Sequence, residues 1–521
     1  MEEIGMPEKI FDFCIVGVGA CGGLLAKELS EKGFSVIGLD AGPRYNLNMD
    51  IVNDEAEMLK LFWNEPRTYA GKDPVHIMSG FGIGGGTLVW CGVTPRFHDS
   101  DFRTYSRDGV GVDWPISYKD LAPYYDRVER DFGVSGNHME NTFEVPRGPF
   151  PMPAIEWSWA NQILAKGVEK VGAKPLHGPL AMASQPYRGR EECVKCGFCI
   201  SGCPSTAKSC TLTGFVPEAE ANGAEIRAES FVYNISYDAK KNRVTAVEYY
   251  DESLKEHRVS AMAVIVTAHP METTRLLLLS ANSTFPEGLS NSSGLVGKNY
   301  MGHWVASVYG IFEQKMNAFK GPVMGNLIVQ DWYETNPKND FARGYTLEDF
   351  LPHPYYYGVA GPPFWGQELK DMIKSYDHTH GWWICGEGLP NDNNTLTLDP
   401  EVKDHRGLPV ARLTHEWTEN DKKARAHAKK MSVATLEAAG ATKVYVGKDM
   451  AAHPMGTVRM GEDPAKSVVN SYCQSHDIPN LFICDSSVFV TGGGTNLTLT
   501  AMSIASRSGD YMTESAIRGD L

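Results

Sequence analysis

"FDFCIVGVGACGGLLAKELSEKGFSVIGLDAG", residues 11–42, decides the fold. A short apolar run leads into Gly17, Gly19 and Gly22 in the order G-x-G-x-x-G, a helical stretch follows, and a second apolar run ends at Asp40. The first glycine makes the strand-to-helix turn, the second lets backbone approach a pyrophosphate, and the third lets helix pack on strand. The helix N-terminus then offers unpaired N–H groups and a partial positive charge to phosphates. Asp40 lies 18 residues beyond Gly22, placed for a ribose diol. Alone, such a motif is a weak signal, since any tight glycine turn can mimic it. Embedded between two strands and a helix, with the acid at the right offset, it predicts a dinucleotide site without separating NAD from FAD.

The rest of the composition narrows the class. Across 521 residues, 42% are hydrophobic and 22% charged, so a sizeable core and two or three domains are expected. A formal net charge of -15 and the lack of any Lys/Arg run exclude a nucleic-acid partner, because phosphates require a basic face. No uninterrupted apolar segment approaches the length needed to span a membrane. The acidic start "MEEIGMPEKIFDF" has neither a charged and apolar leader nor a twin-arginine pattern, so no signal of its own is expected.

Further blocks recur along the chain. "GIGGGTLVWCGVTPRF" (82–97) is too glycine-rich for a regular element and reads as a loop pressed against a flat ligand. "DWPISYKDLAPYYDRVE" (113–129), "AHPMETTRLLLLS" (268–280), "AAHPMGTVRMG" (451–461) and "LFICDSSVFVTGGGTNLTLTAMSIASRSGDYM" (481–512) follow. Together they resemble the glucose–methanol–choline (GMC) oxidoreductases, and the pyranose oxidase branch most closely, over the whole chain. The resemblance implies an α/β protein: an FAD-binding Rossmann-like nucleotide fold interleaved with an α+β substrate domain built on an antiparallel sheet. The expected division gives 1–100, 205–300 and 440–521 to FAD, and 101–190 with 301–440 to the substrate and flavin lid.

By that resemblance Gly17, Gly19, Gly22 and Asp40 hold the ADP half, while Gly84, Gly85 and Thr87 pass near the flavin ring. Asp485 and Thr498 belong to the returning C-terminal blocks that cover it. Val232, in "AEIRAESFV" (224–232), stands where a valine backbone meets adenine. Val89 and Leu88 occupy the run where pyranose oxidases carry the histidine that bonds flavin, so non-covalent FAD is expected. Catalysis falls to His453, heading H-P-x-G-T-x-x-M, and to Asn496 in "GTNLTLTAM". A lone histidine is usually structural, and only the surrounding motif argues otherwise for His453. Alcohol oxidation needs a group that takes the hydroxyl proton, which suits imidazole, whereas an amide orients the hydroxyl but cannot act as a base. His269 and His303 read as structural, and no other histidine spacing suggests a catalytic metal. The aromatic middle, 313–384, fits either a sugar pocket or an ordinary sheet core.

One stretch stands apart. "EECVKCGFCISGCP" (191–204) places Cys193, Cys196, Cys199 and Cys203 before Pro204, the ligand run of bacterial ferredoxins. Eleven cysteines, five of them between 193 and 210, read as metal ligation rather than scattered disulfides. An iron–sulfur cluster, 4Fe-4S or 3Fe-4S, is favoured over zinc, whose cysteine pairs are usually separated by a longer loop. Cys210 is the alternative fourth ligand, and 191–210 forms the cluster loop. Some bacterial flavin dehydrogenases of this superfamily carry such a cluster and work with a small accessory subunit and a cytochrome c-type acceptor. The expected activity is therefore FAD-dependent oxidation of a secondary hydroxyl of a pyranose or glucoside, at C3 or C2. A pyranose oxidase that reduces O2 and keeps a structural metal is the alternative enzyme, and a flavin-binding assembly subunit the non-enzymatic one. Cytoplasm and periplasm both remain open, the latter by export with a signal-bearing partner.

Overall fold

In the computed structural model, which describes residues 9–52 and 54–521, the opening motif folds as a parallel β-α-β unit. The strand Ile10–Val16 is buried on both faces, as a near-continuous apolar run in a parallel sheet should be. It pairs with Val36–Leu39 on one side and with Glu256–Val266 on the other, both in parallel. Glu225–Arg227 extends the sheet beyond Val36–Leu39, and Leu481–Ile483 pairs in parallel with the end of Glu256–Val266. Arg243–Tyr250 and Phe231–Asp238 complete the seven strands. One sheet is thus assembled from three separated parts of the chain.

Glycine is required at two points of this unit. Gly17 has φ +93°, and a Cβ there would lie 2.7 Å from the Thr267 carbonyl oxygen. At Gly22 a Cβ would meet the Gly17 oxygen at 1.9 Å, so the helix Ala20–Glu31 can sit this close to the strand only without a side chain. No side chain caps that helix at Gly19, which leaves its first N–H groups for a ligand.

A second, six-stranded sheet runs in the order Lys443–Met455, Met301–Ile311, Thr379–Gly386, Tyr345–Phe350, Met324–Val329 and Leu176–His177, with neighbouring strands antiparallel. The helix Glu419–Ala439 covers one face, where the Trp382 indole donates to Thr435 Oγ1 at 2.9 Å. A Thr418/Asp421 capping box starts that helix and Gly440, in the left-handed region, ends it. The division expected at residue 440 falls before Lys443–Met455, a strand this second sheet takes in. A further strand pair forms outside this sheet. Thr395–Lys403 and Pro409–Thr414 join Thr68–Ala70 in a sheet of their own, because Pro409–Thr414 runs parallel to that N-terminal segment. No helix among the described residues is long and apolar enough to cross a membrane.

Candidate active site

A cleft runs along the C-terminal ends of the parallel strands, where an α/β sheet binds its ligands. Gly17, Gly19, Asp40, Gly85, Val232, Asp485 and Thr498 line it. Gly22 lies just behind, under the Gly17 carbonyl. Gly84 and Thr87 form the back of the glycine loop rather than its lining. Gly84 has φ +104° against Cys210, and Thr87 Oγ1 lies 2.6 Å from the Gly84 oxygen and 3.2 Å from Cys210 Sγ. Asp40 accepts from Val18 N–H at 2.8 Å and from Gly42 N–H at 2.9 Å, so the acid also braces the turn it was expected to serve. Burial raises the carboxyls of both Asp40 and Asp485 above the usual range.

Residues not assigned to the nucleotide from sequence also line the cleft. Arg67 donates to Glu272 at 3.1 Å and to Ser79 at 3.0 Å and is a cation in the cleft. His269 caps the helix Pro270–Leu279 and holds φ +75°, and burial drives its ring down to about 3, hence neutral.

Beyond the Ser486 and Leu497 end of the cleft stand His453 and Asn496; Ser486 Oγ donates to the Pro454 carbonyl at 2.8 Å. His453, at the end of the long strand Lys443–Met455, has φ +57°, a left-handed backbone that non-glycine residues hold mainly at functional sites. Its Nδ1 lies 2.8 Å from Nδ1 of His303. His303 Nε2 in turn lies 3.0 and 2.8 Å from the carbonyl oxygens of Gly492 and Gly493. His303, read from sequence as structural, is therefore in direct contact with the candidate base. Only its place directly after "GKNYMG" (297–302) hinted at a packed position, and nothing local pointed to His453, 150 residues away.

Those contacts set the protons. Carbonyl oxygens only accept, so His303 Nε2 carries hydrogen, and burial lowers its ring pKa so that it stays neutral. Its Nδ1 is then a lone pair, and His453 Nδ1–H must donate to it. This leaves His453 Nε2 as the basic atom. Burial and the adjacent His303 bring His453 down to about 3, so it too is neutral at physiological pH and free to accept a proton. Asn496 is buried with its Oδ1 unpartnered, as an amide awaiting a hydroxyl would be. Cys385 Sγ lies 3.4 Å from His303 Nδ1 and 3.9 Å from His453 Nδ1.

The cysteine run forms a turn-rich loop with φ +55° at Lys195, +74° at Gly197 and +100° at Gly202. Cys193 and Cys203 are half-buried, Cys199 is buried and Cys196 exposed. Backbone N–H groups of Lys195 and Lys208 point at the sulfurs of Cys193 and Cys203, each at 3.4 Å. No three ligand atoms of the run gather within 4.8 Å; among the described residues only His303, Cys385 and His453 do. Cys210 lies against Thr87 and Gly84, apart from the run. Burial pushes the thiols of Cys193 to about 11 and Cys199 to about 12.

The cleft, its glycine turns and the neutral histidine pair define a flavin-dependent oxidoreductase acting on CH–OH groups. The chain belongs to the GMC oxidoreductase family, whose N-terminal profile matches residues 11–305 and whose C-terminal profile matches residues 390–505. It is 31% identical to the fructose dehydrogenase large subunit of Gluconobacter japonicus, covering 98% of each chain. It is 30% identical to 2-methyl-1,2-propanediol dehydrogenase of Mycolicibacterium austroafricanum, over 96% of this chain and 95% of that one. Its fold matches pyridoxine 4-oxidase from Mesorbium loti with a TM-score of 0.68 at 16% identity, over 96% and 99% of the two chains.

The residues present fit FAD: Gly19, open to the cleft, lets backbone reach the diphosphate, while Gly17 and Gly22 hold the turn and the helix close to the sheet. Gly17, Gly19 and the uncapped helix Ala20–Glu31 would hold the diphosphate, Asp40 a ribose, Val232 the adenine, and Gly85, Asp485 and Thr498 the flavin half.

Proposed function

We propose that the protein is an FAD-dependent dehydrogenase that oxidises a secondary hydroxyl of a pyranose or glucoside, at C3 or C2, to a keto-sugar. The observation that carries this reading is the fixed proton arrangement of His303 and His453, tied to the FAD cleft where Ser486, which lines it, bonds Pro454, with Asn496 next in the chain to the cleft residue Leu497. His453 Nε2 takes the hydroxyl proton as the carbonyl forms, Asn496 orients that hydroxyl, and His303 Nδ1 accepts from the resulting imidazolium through His453 Nδ1–H. FAD, when bound, supplies the two-electron acceptor for the hydrogen leaving carbon. It is held without a covalent bond, since Val89 carries no nucleophilic atom.

Cys193, Cys196, Cys199 and Cys203 would hold an iron–sulfur cluster of 4Fe-4S or 3Fe-4S type, which would supply a one-electron relay toward an acceptor other than NAD, such as a cytochrome c. Three features support the cluster: the ligand run itself, the N–H groups turned on two of its sulfurs, and Lys208. The Lys208 ammonium is 1% exposed, with no carboxylate in ion-pair contact among the described residues. It donates only to the carbonyls of Leu88, Trp90 and Cys199, at 3.0, 2.8 and 2.8 Å. A buried cation beside Cys199 suits an anionic thiolate cluster, and Cys210 lies on the far side, against the glycine loop. A small accessory subunit completes the proposed assembly, as suits a relative that is itself a large subunit.

The test is anaerobic reduction of the flavin by a panel of sugars and glucosides, followed by reoxidation with O2, ferricenium or cytochrome c and by EPR of the reduced protein. Flavin bleaching by a glucoside, fast turnover with ferricenium and an iron signal are expected. Vigorous peroxide formation with no acceptor activity would overturn the dehydrogenase assignment.

A further inference from the structure

On the sheet face that carries His303, Thr346, Glu348 and Trp383 bury polar side-chain atoms that lack a close hydrogen bond. In antiparallel pairing Thr346 stands opposite Cys385 and Glu348 opposite Trp383, so these four side chains share one face. The next strand sets Val305 opposite Cys385 and Ser307 opposite Trp383, which places His303, two residues before Val305, on the same face. Thr346 Oγ1, the Trp383 indole N–H and Oδ1 of Asn496 make no hydrogen bond, and the Glu348 carboxyl has only a loose contact with the Asn496 amide, outside close hydrogen-bond geometry. Glu348 is fully buried.

Such a set is costly to keep. Each buried polar group left unbonded costs about 1–3 kcal/mol, and folded proteins pair nearly all of theirs. Four such atoms on one face, which also carries the Cys385 that touches His303 and His453, mark a surface whose partners arrive with a ligand. We propose that Glu348, with Thr346 and Trp383, binds a hydroxyl neighbouring the one oxidised at His453, so that the site selects uncharged polyols carrying adjacent hydroxyls. This rests on the alcohol-oxidising assignment of His453 and Asn496.

The chemistry sets the ligand class. A sugar hydroxyl both donates and accepts, and matches a carboxyl, a Thr hydroxyl and an indole N–H together, while the flat Trp383 ring offers an apolar surface to ring C–H bonds. Burial, with the neighbouring Asp349, pushes Glu348 up to about 8, so at neutral pH it is a carboxylic acid able to donate as well as accept. The thiols of Cys91 and Cys385 are the other titratable groups beside it, and burial holds both protonated. Neither Lys nor Arg stands among the residues named on this face, so a sugar acid would bring a carboxylate with no cation to meet it.

The holoenzyme and its Glu348→Leu and Glu348→Gln variants test this with methyl β-D-glucoside, D-gluconate and propan-2-ol as reductants of the flavin, alongside thermal melting. Glu348→Leu is expected to lower the glucoside-to-propan-2-ol ratio of kcat/KM at least tenfold, while its Tm rises because an unpaired buried carboxyl is gone. Glu348→Gln, which still donates and accepts, is expected to keep that ratio within about threefold, and D-gluconate to reduce the wild type more slowly than the glucoside. An unchanged ratio in Glu348→Leu, or a fall in its Tm, overturns the proposal. Wild-type protein that bleaches with propan-2-ol but with no polyol overturns it from the other side and leaves the His453 assignment standing. No bleaching by any alcohol defeats that assignment first.

Discussion

His303 Nδ1 and His453 Nδ1 meet at 2.8 Å, and because two carbonyls occupy His303 Nε2, the pair has one neutral proton arrangement. His303 is thus a positioning residue that fixes which nitrogen of His453 is basic. Its replacement by Ala is expected to slow flavin reduction by about 10–100-fold with little change in KM. His303→Asn, whose side-chain oxygen can accept from His453 Nδ1–H, should recover part of the loss. Removing the base itself in His453→Ala should cost about 10²–10⁴-fold. Stopped-flow bleaching at 450 nm, about where oxidised flavins absorb, reads all three. Equal losses in His303→Ala and His303→Asn, or a change confined to KM, would show that His303 only fills space.

The nucleotide turn makes an equally local prediction. A methyl group at Gly22 would lie 1.9 Å from the Gly17 carbonyl oxygen and 2.6 Å from Thr267 Oγ1, both anchored in the sheet. Gly22→Ala is expected to yield protein with less than a tenth of the wild-type flavin per chain, or protein that fails to accumulate. By contrast, Gly33→Ala, where φ is +87° but no atom lies within 4 Å, should keep its flavin and lose only about 1 kcal/mol of stability. The ratio of flavin to protein absorbance separates the two, and a fully flavinated Gly22→Ala protein would defeat the packing argument.

Lys208 joins the glycine loop to the cysteine run through three carbonyls. Lys208→Met would strand those acceptors at about 1–3 kcal/mol each, so Tm should fall by several degrees. Iron content and the rate of ferricenium reduction should fall more than the rate of flavin bleaching by substrate. Lys208→Arg, which keeps the charge, should retain more iron than Lys208→Met. Matching losses of bleaching and acceptor turnover would leave Lys208 a purely structural tie.

How far the sequence foretold this differs between the two sheets. The FAD half was readable because its determinants are local: Gly17, Gly19, Gly22 and Asp40 lie within one β-α-β unit, and their spacing is itself the geometry. His453 and Asn496 were found through their motif. His303 and Glu348 were not, because their roles come from strand pairing. Glu348 faces Trp383 only through the register of Tyr345–Phe350 on Thr379–Gly386, and in "YTLEDF" it reads as an ordinary solvent-facing acid. The neighbour of Pro409–Thr414 was equally hidden, since its parallel partner strand Thr68–Ala70 lies more than 300 residues earlier.

Glu348 also gives the protein a pH signature with a definite sign. Its pKa rises from 4.5 to about 8 on folding, and those of Asp349 and Asp421 from 3.8 to about 6, each chiefly through burial. A pKa raised on folding adds stability that is complete below the unfolded value and is lost as pH climbs through the folded one. The buried histidines His269, His380 and His453 run the other way. Folded values of about 3 mean that they favour the folded state above pH 6.5 and withdraw that support as pH falls. Between about pH 4 and 6.5 the two sets oppose each other. From pH 6.5 to 8 these histidines are neutral in both states and Asp349 and Asp421 are nearly spent, so Glu348 adds a downward slope of its own to that of the other carboxyls raised by burial, Asp40, Glu144 and Asp485. Tm measured by differential scanning fluorimetry should therefore decline more steeply over that interval in the wild type than in Glu348→Gln. Parallel slopes in the two proteins would show that Glu348 is already ionised at neutral pH, and would remove its capacity to donate to a sugar hydroxyl.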